Sequence, residues 1–252
     1  MKQFNLTPVM GKRLIAKGMA QHPDVQRVLE KGTLLIVAGT TNGYVAEEIL
    51  TMLGQAEGFS HASFSRVGFR RGVTVAQGAK LPKAELAGDV VIVDGQWQPG
   101  KTVFDVAEGL KAGDVVLKGG NAFDPYGQAA VQIGHPQGGT VMEIVPAVIG
   151  RRVQLIVPIG LEKRVFDDIH TLTLRVNDPA TDGPRLMPLP GEIFTELGAI
   201  QLLTGAEPLL IAGGGIFGAE GSAWIGVSGT EEQVAAAAAL IKSVSGEPPC
   251  EV

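Results

Sequence analysis

The chain of 252 residues has a single cysteine, Cys250, next to its C-terminus. One cysteine excludes an internal disulfide and a cysteine-based metal cluster. Histidine is also scarce: His22, His61, His135 and His170 are scattered without ligand spacing, so no structural metal is expected. Lysine and arginine together number 21 against 26 acidic residues, a net charge of -5 with a pI near 5.4. That balance argues against nucleic acid as the main partner, since a polyanion needs a basic face. No apolar stretch approaches the roughly 18 uncharged residues of a membrane span. The N-terminus, Met1-Lys-Gln-Phe-Asn5, lacks the apolar core of a secretory signal. The expectation is a cytoplasmic protein with no membrane partner.

What is there suffices for a core. With 45% hydrophobic and 19% charged residues, a chain of this length buries roughly 70 to 75% of its unfolded surface, in one large domain or one plus a small one.

The most informative segment runs from Lys31 to Leu50. Thr33 to Ala38 is a continuous aliphatic and β-branched run, too short for a helix and without alternation, so it reads as a strand buried on both faces of a parallel sheet. Gly39 and Gly43 allow a sharp turn, and Thr40, Thr41 and Asn42 are placed to cap a helix beginning near Tyr44. Free N–H groups at such a helix start point at whatever sits above the strand end, which makes an anion cradle. An ordinary strand-to-helix connection fits the same residues equally well.

The rest of the chain alternates. Gly11 to Glu30 is helical, with Pro23 interrupting it or starting a second helix. Gly54 to Lys83 is glycine-rich and mixed, and Phe64 to Gly72 reads as a basic loop carrying Arg66, Arg70 and Arg71. Strands follow at Asp89 to Asp94, Asp114 to Lys118 and Val153 to Val157, with helices at Thr102 to Lys111 and Val141 to Ile149. Strands alternating with helices predict an α/β, Rossmann-like and mostly parallel sheet over residues 1–176, with its ligand crevice at the carboxyl ends of the strands. Asn177 to Pro184 is a linker of turn formers. Residues 185–252 then read as strand Met187 to Ile193, helix Phe194 to Thr204, strands Pro208 to Ala212 and Ser222 to Val227, and helix Glu231 to Val244, with a capping box at Thr230 and Gln233. This order predicts a small α+β, ferredoxin-like lid. Gly213 to Gly218 matches the spacing GxGxxG, but a strand follows it rather than a helix, so it reads as a flexible hairpin connection.

With these elements placed, the chain resembles the ribose-5-phosphate isomerase A group within the wider family of isomerase, sugar-phosphate deaminase and CoA-transferase folds. Gly39-Thr-Thr-Asn-Gly43 stands where that group has its phosphate-binding loop, and Pro188-Leu-Pro-Gly-Glu192 opens a similar small domain. Lys118-Gly-Gly-Asn-Ala-Phe-Asp124 replaces an acidic catalytic motif of the group, and Gly134 to Gly139 stands in for a lysine-glycine segment. The resemblance implies an enzyme, isomerase or transferase, acting on a small anionic metabolite that is phosphorylated or CoA-linked, in a homo-oligomer and with no metal or redox cofactor.

In that reading Gly39, Thr40, Thr41, Asn42 and Gly43 bind the anion, and Lys118 with Gly119, Gly120, Asn121 and Asp124 orients the reacting end. Glu143, ten residues before Val153, is the base or, as in the CoA transferases, the nucleophile. A positioned base contributes about 10² to 10⁴ in rate. Equally, Glu143 fits a helix start, where a negative charge is favoured, and Asp124 with Tyr126 fits an exposed turn. Loss of the acidic motif with retention of the anion loop also fits a metabolite sensor without turnover.

Overall fold

A computed structural model describes residues 1–61 and 88–248. The basic loop Phe64 to Gly72, with Arg66, Arg70 and Arg71, and Cys250 lie outside the described residues. The elements in chain order are β1 (Lys2–Leu6), α1 (Pro8–Ala20), α2 (Pro23–Glu30), β2 (Thr33–Ile36), α3 (Thr40–Met52), β3 (Val90–Val93), β4 (Gln96–Trp97), α4 (Val103–Val106), β5 (Val115–Leu117), β6 (Ala122–Phe123) and β7 (Ala129–Ile133). They continue with α5 (Thr140–Val145), β8 (Gln154–Pro158), α6 (Ile169–Val176), β9 (Arg185–Leu189), β10 (Glu192–Phe194), α7 (Glu196–Thr204), β11 (Glu207–Gly213), β12 (Ala223–Ser228) and α8 (Glu231–Ser243). Among the described residues, no helix is long and apolar enough to cross a membrane.

The molecule is mixed α/β. Its six-stranded sheet has the order β10-β8-β5-β2-β3-β4. Strands β10, β8, β5 and β2 run parallel, β3 runs antiparallel to β2, and β4 turns back antiparallel to β3. The short apolar runs form the buried middle of this sheet because both faces are covered. Leu34, Ile36, Leu117 and Ile156 face α1, α2 and α3, whereas Leu35, Val37, Val116 and Val157 face the layer holding α4, α5 and the small sheet. Pro23 starts α2, as its missing N–H and fixed φ allow at a first helical position. Pro146, which cannot donate a helical hydrogen bond, ends α5, and a π-turn over Pro146–Gly150 replaces the expected continuation to Ile149.

Several elements depart from the sequence expectation. Thr40, Thr41 and Asn42 do not cap a helix starting near Tyr44; they form the first turn of α3, which begins directly after the extended Gly39. The run Met187 to Ile193 is not one strand. It breaks at Pro190 and Gly191, where the backbone comes so close to Leu155 that a Cβ would lie 2.6 Å from Leu155 Cγ. On one side of the break β9 joins β7 and β6 in a three-stranded sheet, and on the other β10 joins β8 in the large sheet. Helix α6 was not anticipated, because its β-branched residues hide a start that Asp168 caps by accepting from Thr171 N–H. The last sheet, in the order β1-β12-β11, draws one strand from the N-terminus and two from the C-terminal part of the chain. The capping box of α8 at Thr230 and Gln233 is present as expected.

Candidate functional site

Four parallel strands end on one edge of the large sheet, and each delivers a different polar group there. At the end of β2, the Asp89 carboxylate accepts from Ala38 N–H (2.8 Å) and, through its other oxygen, from Val103 N–H (2.7 Å), which fixes the chain as it enters the turn. The Asn42 amide donates to Val37 O (2.8 Å) and Leu117 O (3.0 Å), tying α3 to the ends of β2 and β5. Asn42 lies inside the first turn of α3 rather than at its N-cap, which is Gly39, so it caps nothing.

The result is an open helix start. Helices α1, α2, α6, α7 and α8 are capped by the side chains of Thr7, His22, Asp168, Thr195 and Thr230, whereas α3 has no side-chain cap. Its first amides have no partners within the helix. Two oxygens beside them, Thr41 Oγ1 and Asn42 Oδ1, are buried and have no hydrogen-bond partner among the described residues, a condition that costs about 1 to 3 kcal/mol per group. Gly43 is required where it sits, since a Cβ would lie 2.9 Å from His61 O.

Lys118 follows β5 directly and is buried, with Nζ donating to Gly119 O (3.2 Å). Gly120 passes under the β6–β7 hairpin, where a Cβ would come within 3.0 Å of Ala130 O. The structure thus brings Gly39 to Gly43 and Lys118 to Gly120 to adjacent strand ends. Asn121 and Asp124 serve the neighbouring hairpin. Asn121 Oδ1 accepts from Gln132 N–H (3.0 Å), and the buried Asp124 accepts from Tyr126, Gln128 and Ile169 N–H groups (all 2.9 Å). Those three bonds occupy its carboxylate and hold the start of α6. Glu143 is exposed in the first turn of the six-residue α5, and His135 Nδ1 accepts from Gln137 N–H in a turn.

At the ends of β8 and β10 lies a cluster that sequence reasoning missed. Glu196, the first residue of α7, is buried with 3% exposure, and both its oxygens accept from Leu161 N–H (3.0 and 3.3 Å). Glu162 is the next residue in the chain, paired with Lys12 Nζ of α1 at 3.7 Å. Glycines make room for both carboxyl groups: a Cβ on Gly11 would overlap Glu196 Oε1, and one on Gly160 would overlap the Glu162 carboxylate. Gly221, in the β11–β12 connection, packs against Pro8 and Glu162, and the next residue, Ser222, has a buried hydroxyl without a partner.

Burial, reinforced by the charge of Glu162, pushes the Glu196 carboxyl up to about 7, with backbone hydrogen bonds and Lys12 opposing. Burial likewise holds the Lys163 ammonium below the usual lysine range, and Lys12 adds to the effect against Glu162 and Glu196. A carboxyl that titrates near neutrality beside cations has the chemistry of an acid–base group. The available signal was Thr195-Glu196 directly after an apolar strand, concealed because the predicted helix began at Phe194.

One other feature frames this edge. An open depression of about 300 Å³, lined by Phe123, Asp124, Leu161, Arg164, Ile193 and Leu197 among others, lies beside the Leu161 turn. At the opposite end of the sheet, where Asp24 accepts from the Gln154 amide at the start of β8, His22, Asp24 and Glu192 of β10 bring ligand atoms within 4.8 Å of one another. His22 Nδ1, however, accepts from Asp24 N–H (3.3 Å). This places the imidazole proton on Nε2, facing Glu192 at 3.6 Å, and disfavours a metal at that nitrogen. No family model, curated protein or solved structure matches the chain.

Proposed function

We propose that the protein is an enzyme, isomerase or transferase, acting on a small phosphorylated or CoA-linked metabolite whose anionic group sits at Gly39 to Gly43. The observation that carries this reading is the uncapped start of α3, with the buried Thr41 hydroxyl unpartnered among the described residues beside it and Lys118 at the next strand end. Helix-end electrostatics contribute roughly 2 kcal/mol when partly buried. Several converging amides and a lysine are therefore needed to hold a phosphate, and this edge of the sheet supplies both. In this reading the parallel strands form the Rossmann-like part of the fold, and the C-terminal α+β unit of α7, α8, β11 and β12 acts as a ferredoxin-like lid.

A thermal-shift series with inorganic phosphate, sugar phosphates and CoA thioesters tests it. A ligand at 100 times its dissociation constant stabilises by about 2.7 kcal/mol, which in a domain of this size raises Tm by roughly 5 to 10 °C. Absence of any shift with all three classes removes the reading. Binding of a class without turnover of any member identifies a sensing protein instead.

A further inference from the structure

We propose that the tip of the β11–β12 hairpin, Ile216 and Phe217, inserts into the depression beside the Leu161 turn of a second copy of this chain, and that two such insertions about a two-fold axis make a dimer. The inference needs nothing from the anion site. The hairpin is compact: Gly214 N–H donates to Ser222 O (2.8 Å), Ser222 N–H to Ala219 O (2.9 Å) and Ala219 N–H to Ile216 O (3.2 Å). A Cβ on Gly215 would overlap Ala219 O. At the tip, Phe217 and Gly218 both have positive φ, 53° and 91°. These are the values of a type I′ turn, whose first central position ordinarily takes Asn, Asp or Gly. Phe217 is thus a bulky residue in a conformation that L side chains disfavour. It is 97% exposed, with Ile216 beside it 71% exposed. Within one chain, a disfavoured backbone holds an aromatic ring in water and gains nothing by it. An aromatic anchor buried by a partner accounts for both features.

The receptor for such an anchor is on the same chain. The depression of about 300 Å³ is walled by Phe123, Leu161, Ile193, Leu197 and Leu210, with Arg164 contributing to its lining. Tip and depression adjoin. Leu210 lies on the strand that leads into the hairpin, and Gly221 at the hairpin's base packs against Glu162, the neighbour of Leu161. The tip, being exposed, does not fill the depression of its own chain. A two-fold axis between them lets each tip reach the other copy's depression, with every contact made twice. Charge agrees with this pairing. Glu220, next to the tip, and Arg164 are both exposed, and neither side chain has a hydrogen bond or ion pair among the described residues. Insertion brings the acid of one copy to the guanidinium of the other. Two reciprocal insertions, each covering a phenylalanine, an isoleucine and the walls that receive them, bury roughly 1,200 Å² in all, the lower end of what specific pairs need. The same acid and the net charge of -5 argue against an anionic lipid surface as the occupant.

The test is the mass of the full chain in solution, by sedimentation equilibrium from about 1 to about 200 μM. The expected result is an equilibrium between a monomer of 26.3 kDa and a dimer of twice that mass. Phe217→Asn suits the turn, so it should fold at least as stably as wild type while raising the dissociation constant at least about 30-fold. Arg164→Glu and Glu220→Arg should each weaken the dimer about tenfold, and the double reversal should recover most of the loss. Misfolding of either single variant cannot imitate that recovery.

A chain that stays monomeric over the whole range overturns the proposal. So does a dimer whose dissociation constant is unmoved by Phe217→Asn, which puts the interface elsewhere, or a pair of charge reversals whose effects add without recovery. A monomer that sediments with phosphatidylcholine vesicles, and ceases to in Phe217→Asn, gives the tip to lipid and overturns it as well.

Discussion

Glu196 Oε1 occupies the space that a side chain at Gly11 would fill, so α1 meets the start of α7 because position 11 carries no Cβ, as Gly18 admits Ala199 further along. Gly11 is itself buried at the end of the first turn of α1, where glycine costs up to about 1 kcal/mol relative to alanine in helix propensity. Gly11→Ala should nevertheless destabilise, because overpacking against a carboxyl fixed by Leu161 N–H costs typically about 1 to 3 kcal/mol. Urea unfolding measures this. The double variant Gly11→Ala with Glu196→Ala should recover part of the loss, since residues in contact are not additive. Strict additivity would show that the two positions do not share this space.

The same carboxyl predicts how stability depends on pH. Its folded value of about 7 lies above the ordinary 4.5. Between these values the folded state holds a proton that the unfolded chain releases. Its contribution is thus fully present below pH 4.5 and is lost as pH rises through 7. The stability difference between wild type and Glu196→Gln should fall by on the order of 3 kcal/mol across that window. Urea midpoints at half-unit pH intervals from 4.5 to 8 would record it, and a constant difference would place Glu196 in contact with water.

Leu34 to Ile36, Val115 to Leu117 and Leu155 to Val157 are uninterrupted apolar runs buried on both faces. Their composition announces strands buried on both faces, though not the direction of any one of them. The direction of β3 is not written in Val90 to Val93, because a doubly buried strand reads the same in either orientation. Pairing of β1 with β12 joins residues more than 200 apart, beyond any local pattern. At the site, Lys118 and Gly39 to Gly43 were legible from glycines at strand ends. Glu196 was not, since its burial depends on Gly11, Leu161 and Glu162 from three other segments.

Thr41 separates binding from folding. Its hydroxyl is buried without a partner, so Thr41→Val keeps the shape and removes a group whose isolation costs about 1 to 3 kcal/mol. The free protein should be as stable as wild type or more so. Its thermal shift with inorganic phosphate should shrink by the loss of one donor, about 0.5 to 1.5 kcal/mol. A variant that is less stable yet binds phosphate unchanged would show that the hydroxyl serves the fold.

Asp124 poses the opposite case, a carboxylate that the resemblance places at the substrate and the structure spends on the backbone. Oδ1 accepts from Tyr126 and Gln128 N–H, and Oδ2 accepts from Ile169 N–H at the first turn of α6. In Asp124→Asn the single amide oxygen can keep the first pair, but the NH₂ group then faces the Ile169 N–H, donor against donor. Loss of one charge-assisted bond together with a stranded buried donor costs about 2 to 4 kcal/mol. Because α6 is anchored there, hydrogen exchange of the Ile169 to Leu172 amides should accelerate along with the fall in urea midpoint. The phosphate-induced thermal shift should survive, since Gly39 to Gly43 are held by Asp89 and Asn42 instead. A variant with normal stability and abolished phosphate or sugar-phosphate binding would return Asp124 to the substrate.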